Sequence, residues 1–217
     1  MWGIVICLGT AAGWAASRLL AATTRRARPA PVPVVPCAVA TGVLWGVLWA
    51  LKSGGTFPEW WLPVPLAATV VAVPLAVADV LHRRLPDVLT VPAYALAALA
   101  VCAAALGGPG PPLVVAAVIG CAAALGFHLL VCALAPGAFG AGDVKLSGSL
   151  GALAAAAGWP TLVVSFGLAS LLTSLLAVVA VCAGVARWRD GVPHGPGLLV
   201  ATSVSVSFPG GLPSVGS

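Results

Sequence analysis

Eight stretches of this 217-residue chain are apolar almost without interruption, and loops of a few polar residues join them. They cover 2–22, 32–51, 61–81, 88–106, 113–135, 146–158, 160–186 and 197–208. A helix that crosses a bilayer needs about 20 such residues. Inside hydrocarbon every backbone N–H and C=O must be paired within its own segment, which leaves helices as the form for apolar runs of this length. The chain is 61% hydrophobic and 7% charged, whereas a soluble domain carries roughly 25% charged residues. The expected fold is therefore an all-α polytopic membrane protein: a bundle of about eight transmembrane helices, with six or seven as the alternative count. Residues 1–217 read as a single integral-membrane domain in contact with the lipid bilayer, with 209–217 as a disordered tail.

The net charge of +5 does not point to nucleic acid, because the basic residues sit in the short loops. Loops 23–31, 82–87, 136–145 and 187–196 hold Arg25, Arg26, Arg28, Arg83, Arg84, Lys145, Arg187 and Arg189. On the other side lies only Lys52; Arg18 falls near the inner end of the first span. Such a bias places the basic loops in the cytoplasm and the N-terminus outside. The first apolar run precedes its arginines, so it reads as an anchor and not as a cleavable signal. Pro74 is expected to kink the third span, and Trp60 and Trp61 to sit at headgroup level. Six cysteines occur, none in a CxxC pair; they read as small buried hydrophobes, and no metal site is expected.

Five carboxylate side chains exist: Glu59, Asp79, Asp87, Asp143 and Asp190. A charge at the bilayer centre costs about 2.5–3.5 kcal/mol, so an acid within a span is a functional candidate by default. Asp79 ends the third span. Asp143 lies in GAFGAGDVKLSG, residues 137–148, at the start of the sixth. Two neighbouring carboxylates cannot both ionise easily; one keeps its proton while the other takes a proton from water, which then attacks a peptide carbonyl. Gly140 and Gly142 would let the backbone press Asp143 against a neighbouring helix. Asp79 closes a helix at its carbonyl end, whereas Asp143 opens one where free N–H groups favour a carboxylate. Asp79 is thus expected to hold the shared proton and Asp143 to act as base. Lys145 reads as a holder of substrate carbonyls, a partner of an aspartate or a topology charge. Asp87 reads as the cap of the fourth span, His128 as bonded to a neighbouring helix, and Asp190 as a surface partner of Arg187 and Arg189.

At these residues the chain resembles the type IV prepilin peptidase family of membrane aspartic proteases. ADVLHRRLPDVLT resembles the first aspartate box, with Pro86 in its turn; FGAGDVKL resembles the second, of Gly-x-Gly-Asp type; VPHGPGLLVATSV resembles the segment that opens the last helix. The resemblance covers 61–208. It implies catalytic Asp79 and Asp143, with Gly140, Gly142, Lys145 and Pro86 in support and no cofactor. It implies cleavage of the basic leader from prepilin or pseudopilin precursors, after a glycine and before an apolar helix, at the cytoplasmic face of a bacterial plasma membrane. Longer members carry paired CxxC motifs and also methylate the new N-terminus. This chain has no CxxC, and so resembles the short, peptidase-only form of tight-adherence pili. Leu85 and Asp87 stand where the family commonly has Ile and Asn, and His194 where an aromatic is common. A proton-coupled transporter and an inactive secretion-system scaffold are the competing readings. A presenilin-like protease is disfavoured because Ala78, not tyrosine, precedes Asp79.

Overall fold

The computed structural model describes residues 1–22, 31–184 and 194–210. Among them the regular structure is helical: α1 Trp2–Ala22, α2 Val34–Ser53, α3 Pro63–His82, a one-turn α4 Asp87–Thr90, α5 Pro92–Gly107, α6 Pro111–Leu134, α7 Ala141–Ala156, α8 Trp159–Cys182 and α9 Gly195–Ser207. Proline occupies the first turn of α3, α5, α6, α8 and α9. Its missing N–H costs nothing there, and its fixed φ suits the helix start. Helix α3 continues through Pro74.

Among the described residues six segments are long and apolar enough to cross a membrane, which is the alternative count of six and not the eight expected first: Trp2–Ala22, Val34–Ser53, Glu59–His82, Asp87–Gly107, Pro111–Leu134 and Trp159–Val179. The other two expected spans are the shorter α7 and α9. Both are largely buried among the longer helices. A helix wrapped by protein need not match the bilayer thickness, and that is why 16 and 13 residues suffice. The longer helices α1, α2, α6 and α8 turn Leu, Val, Ile and Phe outward.

Helices α3, α7 and α9 form the centre. One apolar cluster (Leu75, Ala78, Leu85, Leu146, Leu150, Leu198, Leu199) surrounds the end that carries Asp79 and Asp143, and a second (Trp61, Val64, Val101, Leu153, Val206) fills the other end. Small residues set the closest approach: Gly151 of α7 lies 2.7 Å, measured from an ideal Cβ, from the Gly120 carbonyl of α6. Between apolar helices in lipid, such packing replaces a hydrophobic driving force.

Trp61 is fully buried within the protein, and its indole N–H donates to the Val206 carbonyl at 2.8 Å in the last turn of α9. Two local expectations, for His128 and the cysteines, need correction. His128 bonds within its own helix: Nδ1 donates to the Ala124 carbonyl at 2.9 Å, and the ring rests among Phe139, Phe166 and His194. Cys7, Cys102 and Cys182 are exposed on outward faces; of the six cysteines only Cys37 is buried. Arg25, Arg26, Arg28, Arg187, Arg189, Asp190 and the end of the tail lie outside the described residues.

Candidate active site

Helix α3 ends one turn after Asp79 for a local reason. Arg83 adopts the left-handed conformation (φ 51°), and its N–H donates to the Asp79 carbonyl at 2.7 Å. This is the αL helix cap, here without the usual glycine. Pro86 then keeps Leu85 out of the helical region. Pro86 itself occupies the N-cap of α4, and its carbonyl accepts the Leu89 and Thr90 N–H groups. The chain is thereby folded back, and Leu85 points inward, buried.

The second acid sits in the first turn of α7. Gly140 is the N-cap, extended at φ −70° and ψ 150°, and its N–H donates to Asp143 Oδ2 at 3.2 Å. Asp143 Oδ1 is buried and accepts no hydrogen bond from the described residues. Gly142 lets α7 touch the turn after Asp79: a Cβ there would lie 2.7 Å from Leu85 Cβ and 3.2 Å from the Leu85 carbonyl.

The two carboxylates meet at Gly195, the first residue of α9. A Cβ on Gly195 would lie 2.7 Å from Asp79 Oδ2 and 3.3 Å from Asp143 Oδ1. The separation of those oxygens cannot exceed the two distances together, 6.0 Å. Asp79 is only 5% exposed. The Gly195 N–H faces its carboxylate, so the amide end of α9 opposes the carbonyl end of α3 there. Residues 79, 143 and 195, from three different helices, thus come together at one place.

His194 precedes Gly195 and is hydrogen-bonded to Thr173 of α8, Nδ1 to Oγ1 at 3.0 Å. Phe139 lies between the His128 and His194 rings, with centroids 4.7 and 4.9 Å away. Burial, and then the proximity of His128, bring the His194 imidazole down to about 4, so it stays neutral beside the acids. No group of three or more His, Cys, Asp or Glu side chains that could hold a metal occurs among the described residues.

Lys145 reaches neither aspartate of the pair. Its Nζ donates to both oxygens of Asp87 at 2.8 Å, and Asp87 is therefore an ion-pair partner, not the helix cap. The residues that sequence reasoning underrated are Leu85, which touches both Gly142 and Gly195, and Gly195 itself. The signal available for Gly195 was the GPG at a helix start, a short and common pattern.

A family model described as the type IV leader peptidase family matches residues 66–178, a little over half of the chain, and that stretch contains Asp79 and Asp143. Comparison with curated proteins finds no match, and neither does comparison with solved structures. The many-helix membrane architecture and the two aspartate boxes agree with that match, and the chain belongs to the type IV leader peptidase family.

Proposed function

We propose that this chain is an aspartic endopeptidase that removes the basic leader from prepilin-like precursors at the cytoplasmic face of the membrane. One observation carries the reading: Asp79 and Asp143, 64 positions apart in sequence, converge on Gly195 within 6.0 Å. Asp143, whose Oδ2 is held by the Gly140 N–H, is the base. It takes a proton from water, and the oxygen bonds to the scissile carbonyl carbon. Asp79 donates its proton to the carbonyl oxygen, giving a neutral tetrahedral diol. The proton on Asp143 then passes to the amide nitrogen, the C–N bond breaks, and Asp79 recovers its proton from a diol hydroxyl. The products are a carboxylic acid and an amine, and both acids return to their starting states. This is general acid–base catalysis by a pair that shares one proton.

The direct test uses the purified protein in lipid nanodiscs and a precursor with a basic leader ending in Gly before an apolar helix. Cleavage after that Gly, read by mass spectrometry, is the expected result; an intact precursor would refute the reading. In the same assay, EDTA and serine-directed reagents are expected to leave the rate unchanged, because the proposed chemistry needs two carboxyl groups and water. A loss with EDTA that zinc restores would overturn the mechanism.

The basic loops support the cytoplasmic placement. Arg84 and Ala138 are exposed, on either side of the paired acids. In a cysteine-free background, Arg84→Cys and Ala138→Cys are expected to react with an impermeant maleimide only after the cells are permeabilised. Labelling of intact cells would invert the topology. Leu85, buried against Gly142, is unsuited to this test.

A further inference from the structure

The segment that follows Asp79 grips the helix that carries Asp143 at three successive places. Leu85 presses against Gly142 so closely that a Cβ there would lie 2.7 Å from it. One turn along α7, Lys145 Nζ donates to both carboxylate oxygens of Asp87 at 2.8 Å. The Tyr94 hydroxyl donates to the Lys145 backbone carbonyl at 2.5 Å, and its ring edge lies against Gly148, where no Cβ would fit. Gly142, Lys145 and Gly148 are spaced three apart and share one face of α7. The Leu85–Tyr94 segment is continuous with the end of α3, and so this face of α7 is tied to the helix that carries Asp79.

We infer that the Asp87–Lys145 ion pair is a positioning latch that fixes the spacing of the two carboxylates. The inference rests on the reading of Asp79 and Asp143 as the catalytic acids. Both side chains are about half exposed, 62% for Asp87 and 49% for Lys145. A pair so exposed adds little to global stability. Its effect is on placement. Asp143 lies two residues before Lys145, and Asp79 eight before Asp87, with the stiff Leu85–Pro86 turn between. A misplacement of about 1 Å near reacting atoms costs on the order of 100-fold in rate. Both charges of the pair are occupied by each other, so neither Lys145 nor Asp87 touches the acids; they act through the elements they join.

The test is a charge swap. Asp87→Lys and Lys145→Asp are each expected to lower kcat by about 10- to 100-fold with KM nearly unchanged. The double variant, Asp87→Lys with Lys145→Asp, is expected to recover at least about tenfold over the worse single, because neighbours in contact are not additive. A double variant no better than its parents would overturn the latch. So would single variants that raise KM at constant kcat, since Lys145 would then hold substrate. A second readout needs no activity. Spin labels at Arg84→Cys and Ala141→Cys, in a cysteine-free background, are expected to show a narrow distance distribution that broadens on Asp87→Asn. An unchanged distribution would also overturn the latch. If the wild-type protein failed to cleave any prepilin-like precursor, the peptidase reading would fall, and the spin-label result would still decide whether the pair sets the spacing.

Discussion

Replacement of Asp79 or Asp143 by Asn is expected to abolish precursor cleavage while the protein remains folded and inserted. Each substitution keeps the side-chain shape and removes one half of the proton exchange. In the proposed mechanism, Asp143→Asn removes the base that activates water, and Asp79→Asn removes the proton that stabilises the developing oxyanion. Loss of positioned acid–base catalysis alone is worth roughly 100- to 10,000-fold. The two losses are not expected to multiply. If the acids act on one water and one carbonyl, as proposed, the double variant should be little worse than either single, as for other residues that act as a unit. The fold should tolerate the change. Asp79 is buried against the amide end of α9, and an Asn carbonyl can face the Gly195 N–H as the carboxylate does. At position 143 the Asn carbonyl can still accept from Gly140. The measurement is precursor processing in membranes, with the amount and thermal unfolding of each variant followed in parallel. Normal processing by either single variant would remove the aspartic mechanism.

The two acids were legible in the sequence because the chain spends so few charges. With five carboxylates in 217 residues, an aspartate inside an apolar run is conspicuous, and the Gly-rich approach to Asp143 marks a close contact. The partners of those acids were not legible. Lys145 read as a charge with several possible roles and Asp87, 58 positions away, as a helix cap, and only the three-dimensional fold-back at Pro86 makes them neighbours. The cap position that Asp87 was expected to fill went to Pro86, which left its carboxylate free to turn toward α7. The first-choice count of eight spans exceeded the six found among the described residues for a related reason. Hydropathy reports how apolar a segment is, not whether lipid or protein surrounds it, and α7 and α9 are apolar because they are enclosed. Their Gly, Ala and Ser content was the available hint, since small residues mark helices packed on all sides. The partner of Trp61 was not legible either: its indole N–H is used on a buried carbonyl at a helix end.

Gly195→Ala is expected to separate activity from stability more cleanly than any other single change. The added methyl would fall 2.7 Å from Asp79 Oδ2, 3.0 Å from Leu85 Cδ1 and 3.3 Å from Asp143 Oδ1. All three neighbours are the free ends of side chains, so small rotations can make room and the helix bundle need not move. Those same rotations displace both carboxylates from their common target. With a cost on the order of 100-fold per ångström of misplacement, kcat should fall by about that factor or more while the unfolding temperature changes little. Gly197, two residues on, makes the opposite case. Its Cβ would meet Thr173 Oγ1 at 2.7 Å and the Ala169 carbonyl at 2.9 Å, and the second of these is backbone that cannot rotate away. Gly197→Ala should therefore push α9 off α8 and lower the unfolding temperature. Gly126→Ala is the control, because a Cβ there meets nothing within 4 Å; its activity and stability should match the wild type. Kinetics and thermal unfolding of the three variants, measured side by side in nanodiscs, decide the matter. A Gly195→Ala protein that turned over at the wild-type rate would show that the carboxylates do not work at the position where α9 meets them.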